Sequence, residues 1–243
     1  MKIVFSRKGF DSASGGGPSP IVDGRPVSLP IPGSGGSGTT WDDLGLGDLV
    51  TKASRGRHGG GEECHHDPMF LADGTCMFGQ CGAAQTHLAN RGVGRGDVFV
   101  FFGLFREGSD PPHHRIFGYL EVQDVLLVAD LPQARREALV RTGHPHAIAP
   151  YASNDVIYAG PGRTAARASP SLRLTAPGER PTTWCRPDWL KPGGLSYHDD
   201  PARWLGGGRL RAASRGQEFV ADVGRRTTPR RWLEQVIATI ERG

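Results

Sequence analysis

The stretch Phe78–Val128, FGQCGAAQTHLANRGVGRGDVFVFFGLFREGSDPPHHRIFGYLEVQDVLLV, constrains the fold more than any other part of the chain. Gly79 to Asn90 reads as a short helix, with Ala83, Ala84, His87 and Leu88 spaced along one side and Gly92 placed to end it in a left-handed conformation. Gly94 and Gly96 make a tight turn, and Asp97 leads into Val98–Phe102, whose branched and aromatic residues predict a buried strand. After a polar loop from Ser109 to His114, Ile116–Val128 supplies a second strand, bent or bulged. Two apolar strands joined by a wet loop imply a hairpin at the centre of a sheet. Gln80, Gln85 and His87 are the polar side chains nearest to it and become candidates for binding a nucleotide or base.

A chain of 243 residues is long enough for one good core. Only 37% of it is hydrophobic, and 36 glycines and 19 prolines predict sparse regular structure and long loops, with 33–38 and 55–61 the most flexible. The formal charge of +4 permits a nucleic-acid partner without requiring one. No apolar run approaches the length of a membrane span, so no membrane partner is expected. Four cysteines without a framework spacing point to a reducing cytoplasm.

Lys2–Ser6 reads as a central strand because the run is apolar. Arg7-Lys8-Gly9-Phe10-Asp11 and the loop to Gly17 follow it. Such a segment admits two readings: a surface loop, or a concave anion pocket in which Ser6, Arg7, Lys8, Ser14 and Gly15 hold a phosphate or base and Asp11 titrates. It is not a P-loop, since the GxxxxGK[ST] spacing is absent.

Glu62 to Pro68 is the densest cluster of metal-capable and acid–base groups. Neither C-x₂-C nor H-x₃₋₅-H appears, and Cys76-x₄-Cys81 is a poor clip, so the spacing assigns no metal site. His65 and Asp67 stand at i and i+2, which share a face in extended backbone, and Pro68 favours extension at Asp67. They are a proton-transfer or positioning pair, or else a loop histidine and a turn-starting aspartate. His144-Pro145-His146 could ligate a metal or bind phosphate; we read it as a rigid turn at the end of a helix over 132–142.

Thr182 to Trp204 mixes rings with cations. Trp184, Trp189, Tyr197 and Trp204 offer stacking surfaces, and Ser196-Tyr197-His198 is expected to face a ligand. Arg215, Gln217 and Glu218 place a donor fork, an amide and a carboxylate at a strand entry, suited to a base edge or, at Glu218, to acid–base work. A last helix, 229–242, carries Trp232, Leu233, Val236, Ile237 and Ile240 on its buried stripe, with Thr228 as cap and Pro229 opening it.

The blocks KIVFSRKGFDSASGGGPSP, LPIP, HHDP, FGQCGAAQTHL, GVGRGD, HPH, LSYH and RGQEFV together resemble the nucleotide modification associated domain family, type three, found beside DNA-modifying genes in bacteria and phages. The family's recurring HxDP is matched by His65, Asp67 and Pro68, and leaves out Cys64 and His66. More loosely, GD, the hairpin and FGYLEV look like a portion of a PUA-like barrel. The resemblance implies a DNA-modification setting, with other proteins of such a system as partners, and fixes no activity.

The expectation is an α+β single domain spanning 1–243: a mixed, mostly antiparallel sheet with helices at 79–90, 132–142 and 229–242. Two function classes follow. In one, an enzyme acts on a nucleotide or DNA base, with Asp11, His65, Asp67, His198 and Glu218 as titrating groups; Glu218 or Asp67 is the base and His65 or His198 the shuttle. In the other, two of the aromatic residues form a cage for a flipped base, read by Gln85, Arg215 and Gln217. A non-catalytic accessory subunit is the third possibility. The surplus of acid–base residues favours the enzyme. No nucleophile, dinucleotide fingerprint or metal triad is visible, so the cofactor and reaction type stay open.

Overall fold

The computed structural model describes residues 1–33, 36–214 and 218–242. Within them the architecture is α+β, built on a large curled sheet. Its main strands are β1 (Lys2–Arg7), β2 (Ser19–Val22), β3 (Met69–Phe70), β4 (Thr75–Gln80), β5 (Val98–Glu107), β6 (His113–Glu121), β7 (Asp124–Leu127), β8 (Val156–Thr164) and β9 (Glu218–Asp222), and the two-residue strand Arg25–Pro26 pairs with β2. The order across the sheet is β9-β1-β5-β6-β8-β4-β3, with β7 pairing β8 and β2 pairing β5. β1 runs parallel to β5 and so does β2; the pairings along the rest of this path are antiparallel.

The expected central hairpin forms from β5 and β6, with a register shift between Phe101 and Phe102. Consecutive phenylalanines serve opposite faces because side chains alternate along a strand. Phe102 joins Ile3, Phe5, Val100 and Phe219 on one face, while Phe101 joins Val4, Phe78, Phe99 and Val220 on the other. The first face is covered by helix Thr227–Glu241 through Leu233, Val236 and Ile240. Each such aliphatic side chain contributes roughly 1.5–3 kcal/mol when fully buried. The second face receives Leu88 from helix Gly82–Asn90. The two-residue period of a strand therefore turns Ser6 and its cross-strand partner Glu218 toward that second face, beside Val4 and Val220.

Several boundaries differ from the sequence reading. The helix expected from Gly79 starts at Gly82, because Gly79 and Gln80 are the last residues of β4, paired with Ile157 and Val156. Its first turn is held instead by Asn154, which accepts from Gly82 N at 2.8 Å and donates to Gly82 O at 2.9 Å. The second strand begins at His113 inside the expected loop, ends at Glu121 and resumes as the separate β7. The helix expected at 132–142 spans Gln133–Arg141 with Pro132 at its N-cap. The last helix begins at Thr227, so Arg226 takes the capping position assigned to Thr228.

Candidate functional site

A cavity of about 550 Å³ opens where two chain segments meet the end of β4. The end of β1 and the turn after it bring Arg7, Lys8, Asp11 and Ser14; the segment before β3 brings His65 and Asp67; β4 and the residue after it bring Gly79, Gln80 and Cys81. His146 and Tyr151 complete this part of the lining.

On the first wall, the Asp11 carboxylate folds the loop onto itself. Its Oδ1 accepts from Ala13 N at 2.7 Å and Ser14 N at 2.8 Å, while Gly16 N donates to Asp11 O at 2.8 Å. These amides are the ones an anion would need, so Asp11 organises the turn and the loop does not offer an open backbone nest. Gly15 is required here: at φ +94°, an added Cβ would stand 2.4 Å from the Phe10 ring. The cationic groups of this wall are Arg7 and Lys8. Arg7 donates from Nη2 to Ala213 O at 2.7 Å, and burial lowers its pKa, partly offset by Asp11. Lys8 Nζ lies 3.0 Å from Glu218 Oε1 and 4.2 Å from the centre of the Phe78 ring. Gln80 Nε2 donates to the same Glu218 oxygen at 2.8 Å, and Gln80 Oε1 accepts from Cys81 N. Glu218 is buried, and its Oε2 has no hydrogen-bond partner among the described residues. It sits behind Lys8 and Gln80 and fixes both. Ser6, beside it in register, is fully buried, so a ligand in the cavity does not reach it as a surface group.

On the second wall, His65 and Asp67 do come together, though not through extended backbone. Asp67 N donates to His65 O at 2.9 Å, closing a three-residue turn that sets His65 Nε2 3.7 Å from Asp67 Oδ2. The other carboxylate oxygen, Oδ1, accepts from Gly79 N at 2.9 Å. His65 Nδ1 contacts the Tyr151 hydroxyl at 3.1 Å. His146, from the short helix Pro145–Ile148, presents Nε2 at 3.9 Å from the same Asp67 oxygen, and its Nδ1 lies 3.4 Å from Asp155 Oδ2 without hydrogen-bond alignment. Burial acts to raise the Asp67 pKa, but His65, then the charges of His146 and His144, outweigh it and hold the carboxyl at about 2. Burial lowers His146, with Asp67 opposing, and lowers His144 to about 4. At neutral pH the wall presents one carboxylate and uncharged buried imidazoles.

Gly79 makes this packing possible. A Cβ there would stand 2.2 Å from His146 Cδ2, inside the ring's own space. The His-Pro-His segment, read from sequence as a rigid turn, is a turn of helix that also aims His146 at Asp67. His146 is open to a metal- or phosphate-binding reading within His-Pro-His and Gly79 falls in the FGQCGAAQTHL block, but nothing in the sequence joins either to His65, and Tyr151 carries no local motif.

Other expected site residues lie elsewhere. His198 is fully buried, with Nδ1 2.8 Å from Ser196 O and Nε2 accepting from Ala213 N at 3.0 Å, so both nitrogens are engaged in holding the backbone. Ser196 is also buried, and of Ser196-Tyr197-His198 only Tyr197 is exposed. His87 touches Ser196 Oγ at 3.0 Å and lies against the Tyr197 ring, 4.4 Å between centroids. Gln85 is buried and accepts from the Tyr158 hydroxyl at 3.0 Å. Trp184 packs edge-on against Phe102 and Trp189 packs against Trp232, both in the core, so these rings do not assemble a cage with Tyr197. Arg215 and Gln217 lie outside the described residues.

No curated protein and no solved structure matches the chain. The family model for nucleotide modification associated domain 3 matches residues 2–222. With nearly its whole length covered by that model, the chain belongs to the nucleotide modification associated domain 3 family and so to the setting of nucleotide modification systems.

Proposed function

We propose that this protein is an enzyme of a DNA-modification system that acts on a nucleotide or DNA base in the cavity between the β1 turn and the end of β4. The observation that carries the reading is convergence. His65 and Asp67 line the same cavity as Lys8 and Gln80, the two residues that grip Glu218. Titratable groups gathered in one cleft, with a buried charge pair behind it, are the arrangement expected of acid–base catalysis.

The His65–Asp67 pair is the end that activates a water or hydroxyl group. Asp67 is fixed by Gly79 N and orients His65, whose side chain keeps partial access to solvent. Arg7 and Lys8 take the anionic part of the substrate, and Glu218 positions Lys8 and Gln80 instead of serving as the base. The reader alternative is weakened by the burial of Trp184 and Trp189. The test is mass spectrometry of nucleosides from the DNA of cells expressing the protein with its neighbouring genes. A modified nucleoside that disappears with His65→Ala supports catalysis. A nucleoside pool that stays the same with and without the protein overturns it and favours a reader.

A further inference from the structure

The three atoms His65 Nε2, Asp67 Oδ2 and His146 Nε2 converge on one point, and each side chain has its remaining polar atom turned toward another group, by hydrogen bond for Asp67 and His65 and by proximity alone for His146. All three lie within 4.8 Å of one another. Asp67 Oδ1 is taken by Gly79 N, His65 Nδ1 faces the Tyr151 hydroxyl, and His146 Nδ1 faces Asp155 Oδ2. Outer partners of this kind fix the ring orientation and leave the Nε2 lone pairs directed inward. The measured gaps to Asp67 Oδ2 are 3.7 and 3.9 Å. Ligands at bond lengths near 2.0–2.1 Å around a tetrahedral ion stand about 3.4 Å apart, so a contraction of a few tenths of an ångström closes the two gaps to Asp67, while the two imidazoles start within 4.8 Å of each other.

We propose that His65, Asp67 and His146 form a binding site for one divalent first-row transition ion, of the zinc or iron(II) class, with its open coordination position facing the cavity. Two imidazoles and one carboxylate favour such an ion over magnesium or calcium, which select all-oxygen shells. Three protein ligands with a vacant position are the donor set of a catalytic, not a structural, centre. The vacant position falls where the cavity is lined by all three residues, so a water held there would be the group that attacks or deprotonates the substrate. Asp155 adds a second carboxylate beside His146, which deepens the site's preference for a cation.

The inference uses the cavity of the proposed function but assigns His65 and Asp67 the role of ligands. An active, metal-free protein would therefore refute it and leave the enzymatic reading standing. A competing donor set, Cys81, His146 and Asp155, shares His146 and is separated from the proposed one by mutation. The experiment is titration of the full-length, chelator-treated protein with Co²⁺, followed by visible absorption and then Zn²⁺ competition. The expected result is one equivalent bound, with His65→Ala weakening it at least about tenfold and Cys81→Ser leaving it unchanged. His65 is part-exposed, so His65→Ala is the primary variant, and circular dichroism verifies its fold. Absence of saturable binding to the folded protein overturns the proposal, as does binding that survives His65→Ala or is lost in Cys81→Ser.

Discussion

Lys8 Nζ and Glu218 Oε1 meet at 3.0 Å across 210 residues of sequence, with side-chain exposures of only 11% and 1%. Adjacent strands hold the pair: Lys8 directly follows β1, and Glu218 opens β9 opposite Ser6. Removing one partner strands the other charge in a poorly hydrated place. Glu218→Met should destabilise the protein by about 3 kcal/mol, while adding Lys8→Met to it should recover much of that loss. Urea unfolding of the four members of this cycle checks it. Additive losses would mean that the two charges do not depend on each other.

Gly79→Ala places a methyl group in the His146 ring. The ring must rotate away or β4 must shift, at a cost of about 1–3 kcal/mol. The expected signature is a changed His146 ring resonance together with loss of the His65–Asp67–His146 convergence, read by NMR. Retention of the wild-type His146 shifts and stability would show that the packing is looser than the 2.2 Å approach implies.

His114 gives the fold a defined acid sensitivity. Burial lowers its pKa to about 3, helped by the Arg7 charge, and its Nδ1 accepts from Trp184 Nε1 at 3.0 Å. The unfolded state takes up a proton near the ordinary histidine pKa of about 6.5, where the folded state does not. Stability conferred by the neutral form is therefore complete above that pH and falls as the pH drops from there toward 3, by about 1.4 kcal/mol per pH unit for this one group. Comparing denaturation of wild type and His114→Gln at pH 7 and pH 5 tests this. The variant should show the smaller change between the two, and an equal change would contradict it.

Two histidines expected to act alike should separate. His198→Ala removes the bonds to Ser196 O and Ala213 N and should cost about 1–3 kcal/mol of stability while leaving the affinity of the folded protein for ligand intact. His65→Ala should change stability by less than about 1 kcal/mol and abolish activity. Thermal melts set beside nucleoside analysis distinguish them, and parallel losses in both variants would deny the assignment.

The strands were legible where an apolar run left no alternative, as at Lys2–Arg7 and Val98–Phe102, and the helix end at Gly92 was legible because φ +63° suits glycine. Gly79 and Gln80 misled, since glycine and glutamine carry no strand preference and only pairing with β8 makes them strand. His65 and Asp67 were visible as a close pair in sequence. Glu218 stood out as a carboxylate, but its partners Lys8 and Gln80 are set by sheet register, which no local pattern encodes. In sequence His146 reads as part of a rigid turn more readily than as a metal or phosphate ligand, because its approach to Asp67 is set by tertiary packing, and His198 misled because a histidine bonding backbone atoms looks, in sequence, like one awaiting a substrate.

Ligand is expected to bind in the cavity lined by Lys8, Asp67 and Gly79. The most direct test is titration of isotope-labelled protein with deoxynucleoside monophosphates, following backbone amide shifts. Saturable shifts are expected at Lys8, Ser14, Gly79 and Cys81, with Gly79 affected through its bond to Asp67. Shifts confined to His87 and Tyr197, with the cavity amides unmoved, would contradict it.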